Sequence, residues 1–141
     1  MYRCHSALLA NGPDWRKRAA AAALLGLLCL PAAQAQMQRN FPPTALRGRI
    51  VVIDPPQIEL NGHTQQLAPG SRIRNQNNLL EMSGALINQT LIVNYTFDNT
   101  GMVREVWVLT DEERAKRPWP TSLKQASEWT FDPIAQTWSR P

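Results

Sequence analysis

A chain of 141 residues with two cysteines and a formal net charge of +4 is too short for several independent cores and too poor in cysteine for a disulfide framework. Its basic balance is confined to the N-terminus. Arg3, Arg16, Lys17 and Arg18 against Asp14 alone supply +3, and the remainder carries +1, which weakens the electrostatic case for nucleic acid as a partner.

Arg16, Lys17 and Arg18 precede an uncharged stretch over residues 19–30, and P-A-A-Q-A follows with small side chains at Ala33 and Ala35, the positions a leader peptidase reads. Twelve apolar residues rise only about 18 Å as a helix, short of the roughly 30 Å hydrocarbon core. Residues 1–35 therefore read as a secretory signal peptide, and the mature chain carries no transmembrane anchor. Removing them from 141 leaves 106 residues beginning at Gln36, periplasmic or secreted, and takes both Cys4 and Cys29 away. Cys29 follows Leu27 and Leu28 rather than the small residues that precede a lipidated cysteine. The exported chain must then fold in an oxidising space on packing alone.

Residues 36–45 are polar with a proline pair, which predicts an extended, mobile lead-in. R-G-R-I-V-V-I over residues 47–53 reads as a strand, stopped by Asp54-Pro55-Pro56 because proline cannot donate to a ladder. Residues 57–60 and 63–67 flank Asn61-Gly62, the dipeptide suited to a type I′ hairpin. A turn at Ala68-Pro69-Gly70-Ser71 then leads into a short strand over residues 72–74. Residues 79–89 lack a clean period and predict a short strand and an irregular or one-turn helical connection. T-L-I-V-N-Y-T and M-V-R-E-V-W-V-L, joined by Asp98-Asn99-Thr100-Gly101, predict an antiparallel pair. Val106 to Leu109, the end of the second, is apolar on both faces, so Trp107 and Leu109 require a cover, for which the C-terminal segment is the obvious source. Thr110 and Glu113 form a capping box for a helix reaching about Arg117, where Pro118-Trp119-Pro120 follows. Residues 121–127 are a linker. Arms at 128–131 and 136–139 around Asp132-Pro133-Ile134-Ala135 form an aromatic hairpin.

Five or six short strands and a late helix predict an all-β, OB-like or SH3-like barrel over residues 46–110, a helix and linker over 111–127, and a hairpin over 128–141. The order R-G-R-I-V-V-I, I-E-L-N-G-H-T-Q-Q-L, P-G-S-R-I-R, G-A-L-I-N-Q-T-L-I-V-N-Y-T and T-G-M-V-R-E-V-W-V-L-T resembles that of small OB-like β-barrel domains in exported bacterial proteins of unknown function. The resemblance covers residues 46–110. It implies a fold and no active site, and the tail from Pro118 departs from it.

Catalysis needs side chains that orient one another, and the mature chain holds one histidine and no cysteine. His63 is expected to be exposed beside its turn, and Asp111, Glu112 and Glu113 read as helix-cap charge. Met37, Met82 and Met102 with His63 have copper-selecting chemistry but no ligand spacing, and no zinc pattern or phosphate-cradling loop is present. The expectation is a non-enzymatic, cofactor-free and metal-free module, with an unrecognised hydrolase as the remaining catalytic alternative. Arg47 and Arg49, and Arg72 and Arg74, each project from one face of a strand. If those strands are neighbours, the four arginines make a patch for an anionic envelope component, weighed against a solvated, edge-protecting face. Trp119, Trp129 and Trp138 read chiefly as a lid over the barrel, and alternatively as a docking surface for an envelope protein.

Overall fold

The computed structural model describes residues 38–141; the signal-peptide segment, its cleavage residues Ala33 and Ala35, and Met37 lie outside the described residues. Strands β1 (Leu46–Asp54), β2 (Gln57–Leu60), β3 (His63–Arg74), β5 (Thr90–Phe97) and β6 (Val103–Val108) close into a barrel, with a two-residue β4 (Leu80–Glu81) on the flank of β3. The ring runs β1-β2-β3-β6-β5 and returns to β1, and β3–β6 is its parallel pair. This is the small barrel the turn spacing predicted, with the parallel pair an addition of the structure. Among the described residues no helix is long and apolar enough to cross a membrane.

Alternation along the strands fills the interior. Leu46 lies opposite Tyr95, Tyr95 opposite Val106, and Val106 opposite Ile73, so one buried layer crosses four strands. Ile50, Val52, Ile58, Leu60, Leu67, Val93, Val103 and Val108 complete the core, each large aliphatic side chain contributing about 1.5–3 kcal/mol on burial. The hairpin turn forms as predicted: Asn61 and Gly62 take φ of 52° and 83°, and Leu60 pairs with His63. Asn61 also reaches back to β1. Its backbone N–H donates to Arg49 O at 2.8 Å, and its Oδ1 accepts from Arg49 N at 2.8 Å. Gly48 makes room for this, because a Cβ there would stand 2.9 Å from both Asn61 Oδ1 and a ring carbon of Tyr95. Gly48→Ala is expected to lower stability by about 1–3 kcal/mol by overpacking, read from the urea unfolding midpoint.

The stretch 68–71 differs from expectation. It does not separate two strands but is a bulge inside the continuous β3, with Gly70 at φ 74° and the register shifting between Leu67 and Arg72. The bulge bends the strand, so its first half pairs with β2 and its second half with β6 and β4. After β4, a 3-10 turn (Ser83–Leu86) inserts Leu86 into the core. The β5–β6 turn is organised by Asp98, whose Oδ1 accepts from Thr100 N (2.8 Å), Thr100 Oγ1 (2.6 Å) and Met102 N (3.0 Å).

A second core lies outside the barrel, on the outer face of β6. Trp107 and Leu109 are buried there with Phe41, Ala45, Trp119 and Trp138, and Trp129 and Phe131 pack at the margin. The lid reading of the tail thus holds for Trp119 and Trp138. The lead-in contradicts its polar reading, because Phe41 and Ala45 are buried and Phe41 meets Trp107 and Trp119 edge-on at 5.7 and 5.8 Å. Helix α1 (Asp111–Ala115) opens with both arms of the capping box, and helix α2 (Leu123–Glu128) starts at Ser122, whose side chain accepts from Gln125 N. The hairpin β7 (Thr130–Asp132) and β8 (Thr137–Ser139) pairs Phe131 with Trp138. Its loop is residues 133–136, one position later than expected, because Asp132 pairs with Thr137 while its Oδ1 accepts from Ile134 N and Ala135 N.

Candidate functional site

The four arginines singled out from the sequence do not form a patch. β1 and β3 are not neighbours along their arginine-bearing segments: Arg47 lies opposite Asn94, Asn94 opposite Trp107, and Trp107 opposite Arg74. Two strands therefore stand between Arg47 and Arg74, about 14 Å at the usual strand spacing, and the second core covers the gap. Arg49 and Arg72 are exposed and separate, the latter opposite Glu105.

Arg47 is built into the fold. Its guanidinium donates to the carbonyls of Glu113 (3.0 Å), Arg114 (3.4 Å) and Lys116 (2.7 Å), and its Nε to Asn94 Oδ1 at 3.2 Å. Those carbonyls lie at the C-terminal end of α1, where Glu113 O also accepts from Lys116 N at 3.3 Å, so a side chain from β1 caps the helix. The helix stops at Ala115 rather than near Arg117, with Lys116 already extended as its C-cap, because Pro118 disfavours helical backbone just before it. The guanidinium carbon sits 4.7 Å from the Trp119 ring centre, a favourable cation–π geometry. Burial first, then the nearby Arg117 charge, bring the Arg47 pKa down to about 10 against the opposing pull of Glu113, which leaves it charged at neutral pH. Asn94 is fully buried beside it, with its Nδ2 unpartnered.

The same layer assembles a different pair of arginines. Arg117, just beyond α1, and Arg140, just beyond β8, line one cleft of about 600 Å³ with Pro118, Trp138 and Ser139. Both arginines are exposed, and among the described residues neither is in a salt bridge; the ion pairs there join Arg39 to Glu113, Arg114 to Asp111 and Lys124 to Glu128. The Arg140 guanidinium lies 5.1 Å from the half-buried Trp129 ring, which holds it in place at the rim. Trp138 forms the apolar wall, and its indole N–H has no hydrogen-bond partner. Of the three tryptophans considered for docking, Trp119 and Trp138 are therefore core residues and Trp129 supports an arginine. The arginine signal was present as Trp138-Ser139-Arg140, where strand alternation puts the arginine on the side of the tryptophan. Arg117, by contrast, reaches the cleft through the turn after α1, which no local pattern announces.

No family model, curated protein or solved structure matches this chain. The chain is a small five-stranded β-barrel domain for which no family is identified.

The other residues weighed for chemistry lie apart. His63 is exposed beside the Asn61-Gly62 turn, Met82 is exposed after β4, and Met102 is half-buried in the β5–β6 turn. Among the described residues no three His, Cys, Asp or Glu side chains group to hold a metal. Asp111, Glu112 and Glu113 occupy the first turn of α1, as expected of cap charge.

Proposed function

We propose that this chain is an exported, non-catalytic accessory module of the bacterial envelope, of the kind represented by small OB-like barrel domains, and that it binds an anionic envelope component. The observation that carries this reading is the cleft on which Arg117 and Arg140 open together without an acidic partner. Guanidinium forks match the oxygens of phosphate and carboxylate. The test is retention of an envelope ligand by the mature chain, residues 36–141, at low and high salt. Retention should fall with salt, since exposed charge is screened within about 8–10 Å at physiological ionic strength. It should be lost in Arg117→Glu with Arg140→Glu, with a cooperative melting transition retained, because both side chains are exposed. Salt-independent retention, or retention by the double variant, would overturn the assignment.

A protein partner is the second reading, favoured by the opposite flank. Leu79, Leu80 and Met82 are 62%, 64% and 82% exposed at the end of the sheet. A rim groove of about 460 Å³ is walled by Pro55, Pro56, Leu67, Pro69 and Met102, and exposed apolar side chains grouped in this way mark interaction surfaces. Leu80→Lys with Met82→Lys should then abolish capture of an envelope protein, with the arginine pair irrelevant to it.

A further inference from the structure

The composition of the arginine cleft narrows the anion, on the reading that the cleft is the binding site. We propose that it takes a phosphate monoester, a terminal phosphoryl group carried on a larger envelope molecule.

Charge is the first argument. The lining residues comprise two guanidinium groups and no carboxylate. A carboxylate or a phosphodiester brings one negative charge and leaves one arginine uncompensated, whereas a phosphate monoester carries about −1.5 to −2 at neutral pH. The second argument is the number of donors. Each arginine presents a planar fork suited to two-point contact. Two forks offer four donors, which the three terminal oxygens of a monoester take up more fully than the two free oxygens of a diester or a carboxylate. Access is the third. The cleft opens broadly to solvent beside Pro118 and Trp138, so a carrier attached to the phosphoryl group meets no enclosing wall. Arg140, stacked on Trp129, is positioned before the ligand arrives, which reduces the ordering cost of binding.

A phosphorylated sugar and a lipid headgroup share this chemistry, and the experiment separates them. The mature chain is titrated at physiological salt with glucose 1-phosphate and with gluconate. It is also titrated with phosphatidylcholine vesicles containing either phosphatidic acid, a monoester, or phosphatidylglycerol, a diester. Tryptophan fluorescence serves as the readout, since Trp129 and Trp138 flank the site. A monoester should bind at least about tenfold more tightly than the diester and the carboxylate, with the preference lost in Arg117→Glu and in Arg140→Glu. Binding of glucose 1-phosphate supports a phosphorylated glycan, and binding of phosphatidic acid vesicles alone supports a lipid source. Equal, arginine-dependent binding of monoester, diester and carboxylate would overturn the monoester inference and leave the anion-binding reading standing. Absence of arginine-dependent binding to any of the probes would overturn both.

Discussion

Deleting residues 128–141 is expected to abolish cooperative folding rather than release an intact barrel. The hairpin supplies Trp138 and Phe131, whose ring centres lie 4.9 Å apart, and Trp138 stands 6.3 Å from Trp119. Removing them uncovers Trp119, Trp107 and Phe41 together. It also removes Gln136, a buried side chain whose Oε1 accepts from Phe41 N at 2.7 Å and whose Nε2 donates to Pro133 O at 2.8 Å, tying the lead-in to the hairpin loop. Truncating one buried aromatic costs about 3–5 kcal/mol, against a total stability of about 5–15 kcal/mol for a domain. Losing several at once leaves no margin. The graded version is Trp138→Ala, expected to lower the melting temperature by roughly 15–30 °C for a domain of this size. Near-ultraviolet circular dichroism and urea unfolding of the truncated chain decide the matter. A sharp transition close to that of the full mature chain would show that the barrel stands alone and that the tail serves only an interaction.

What the sequence made legible was local in its physics. Asn61-Gly62 specifies its turn through two positive φ values, Thr110 and Glu113 specify a cap through side chains three residues apart, and the two-faced apolar run around Trp107 required a cover. What was not legible depended on which strands become neighbours. Alternation placed Arg47 and Arg49 correctly on one strand face and Arg72 and Arg74 on another. Whether those faces meet depends on the β3–β6 parallel pairing, which has no local signature, and on the β3 bulge, whose Pro69-Gly70 signal reads locally as a turn between two strands. The anchoring of the lead-in was hidden for a related reason. Its polar composition and proline pair suggested an extended, mobile segment, and the residue that accepts from Phe41 N, Gln136, lies 95 positions away. The Arg117–Arg140 cleft is non-local in the same sense, since the two arginines meet only after α1 and the hairpin have docked on β6.

Arg39 provides the other large expected effect, through the most deeply placed ion pair among the described residues. Its side chain is 8% exposed and that of Glu113 14%. The guanidinium grips both oxygens of Glu113, with Nε to Oε1 at 2.8 Å, and also donates to Asn75 O at 2.8 Å and Val108 O at 2.7 Å. One arginine thereby joins the lead-in to the β3–β4 loop, the end of β6 and the first turn of α1. Arg39→Ala leaves a carboxylate without its partner in a water-poor site and is expected to cost about 3–5 kcal/mol, whereas replacing both partners by apolar residues of similar volume should cost less. The pH dependence isolates the charge. Burial pushes the Glu113 carboxyl up, but hydrogen bonds from Arg39 and from Thr110 outweigh it and hold the group below its ordinary value. A depressed carboxylate contributes stability that is fully present above its unfolded pKa, about 4.3, and lost as pH falls through the lower folded value. Urea midpoints measured from pH 7 to pH 3 should therefore decline below about pH 5. Glu113→Gln keeps an acceptor for the Thr110 N–H, since glutamine also serves in a capping box. It should be less stable at neutral pH and show a flatter acid limb. A residual slope is expected from Asp98, which the hydrogen bond from Thr100 also holds below the usual carboxylate range. An acid limb in Glu113→Gln as steep as that of the parent chain would place the acid sensitivity elsewhere and remove Arg39–Glu113 as the charge that locks the lead-in to the barrel.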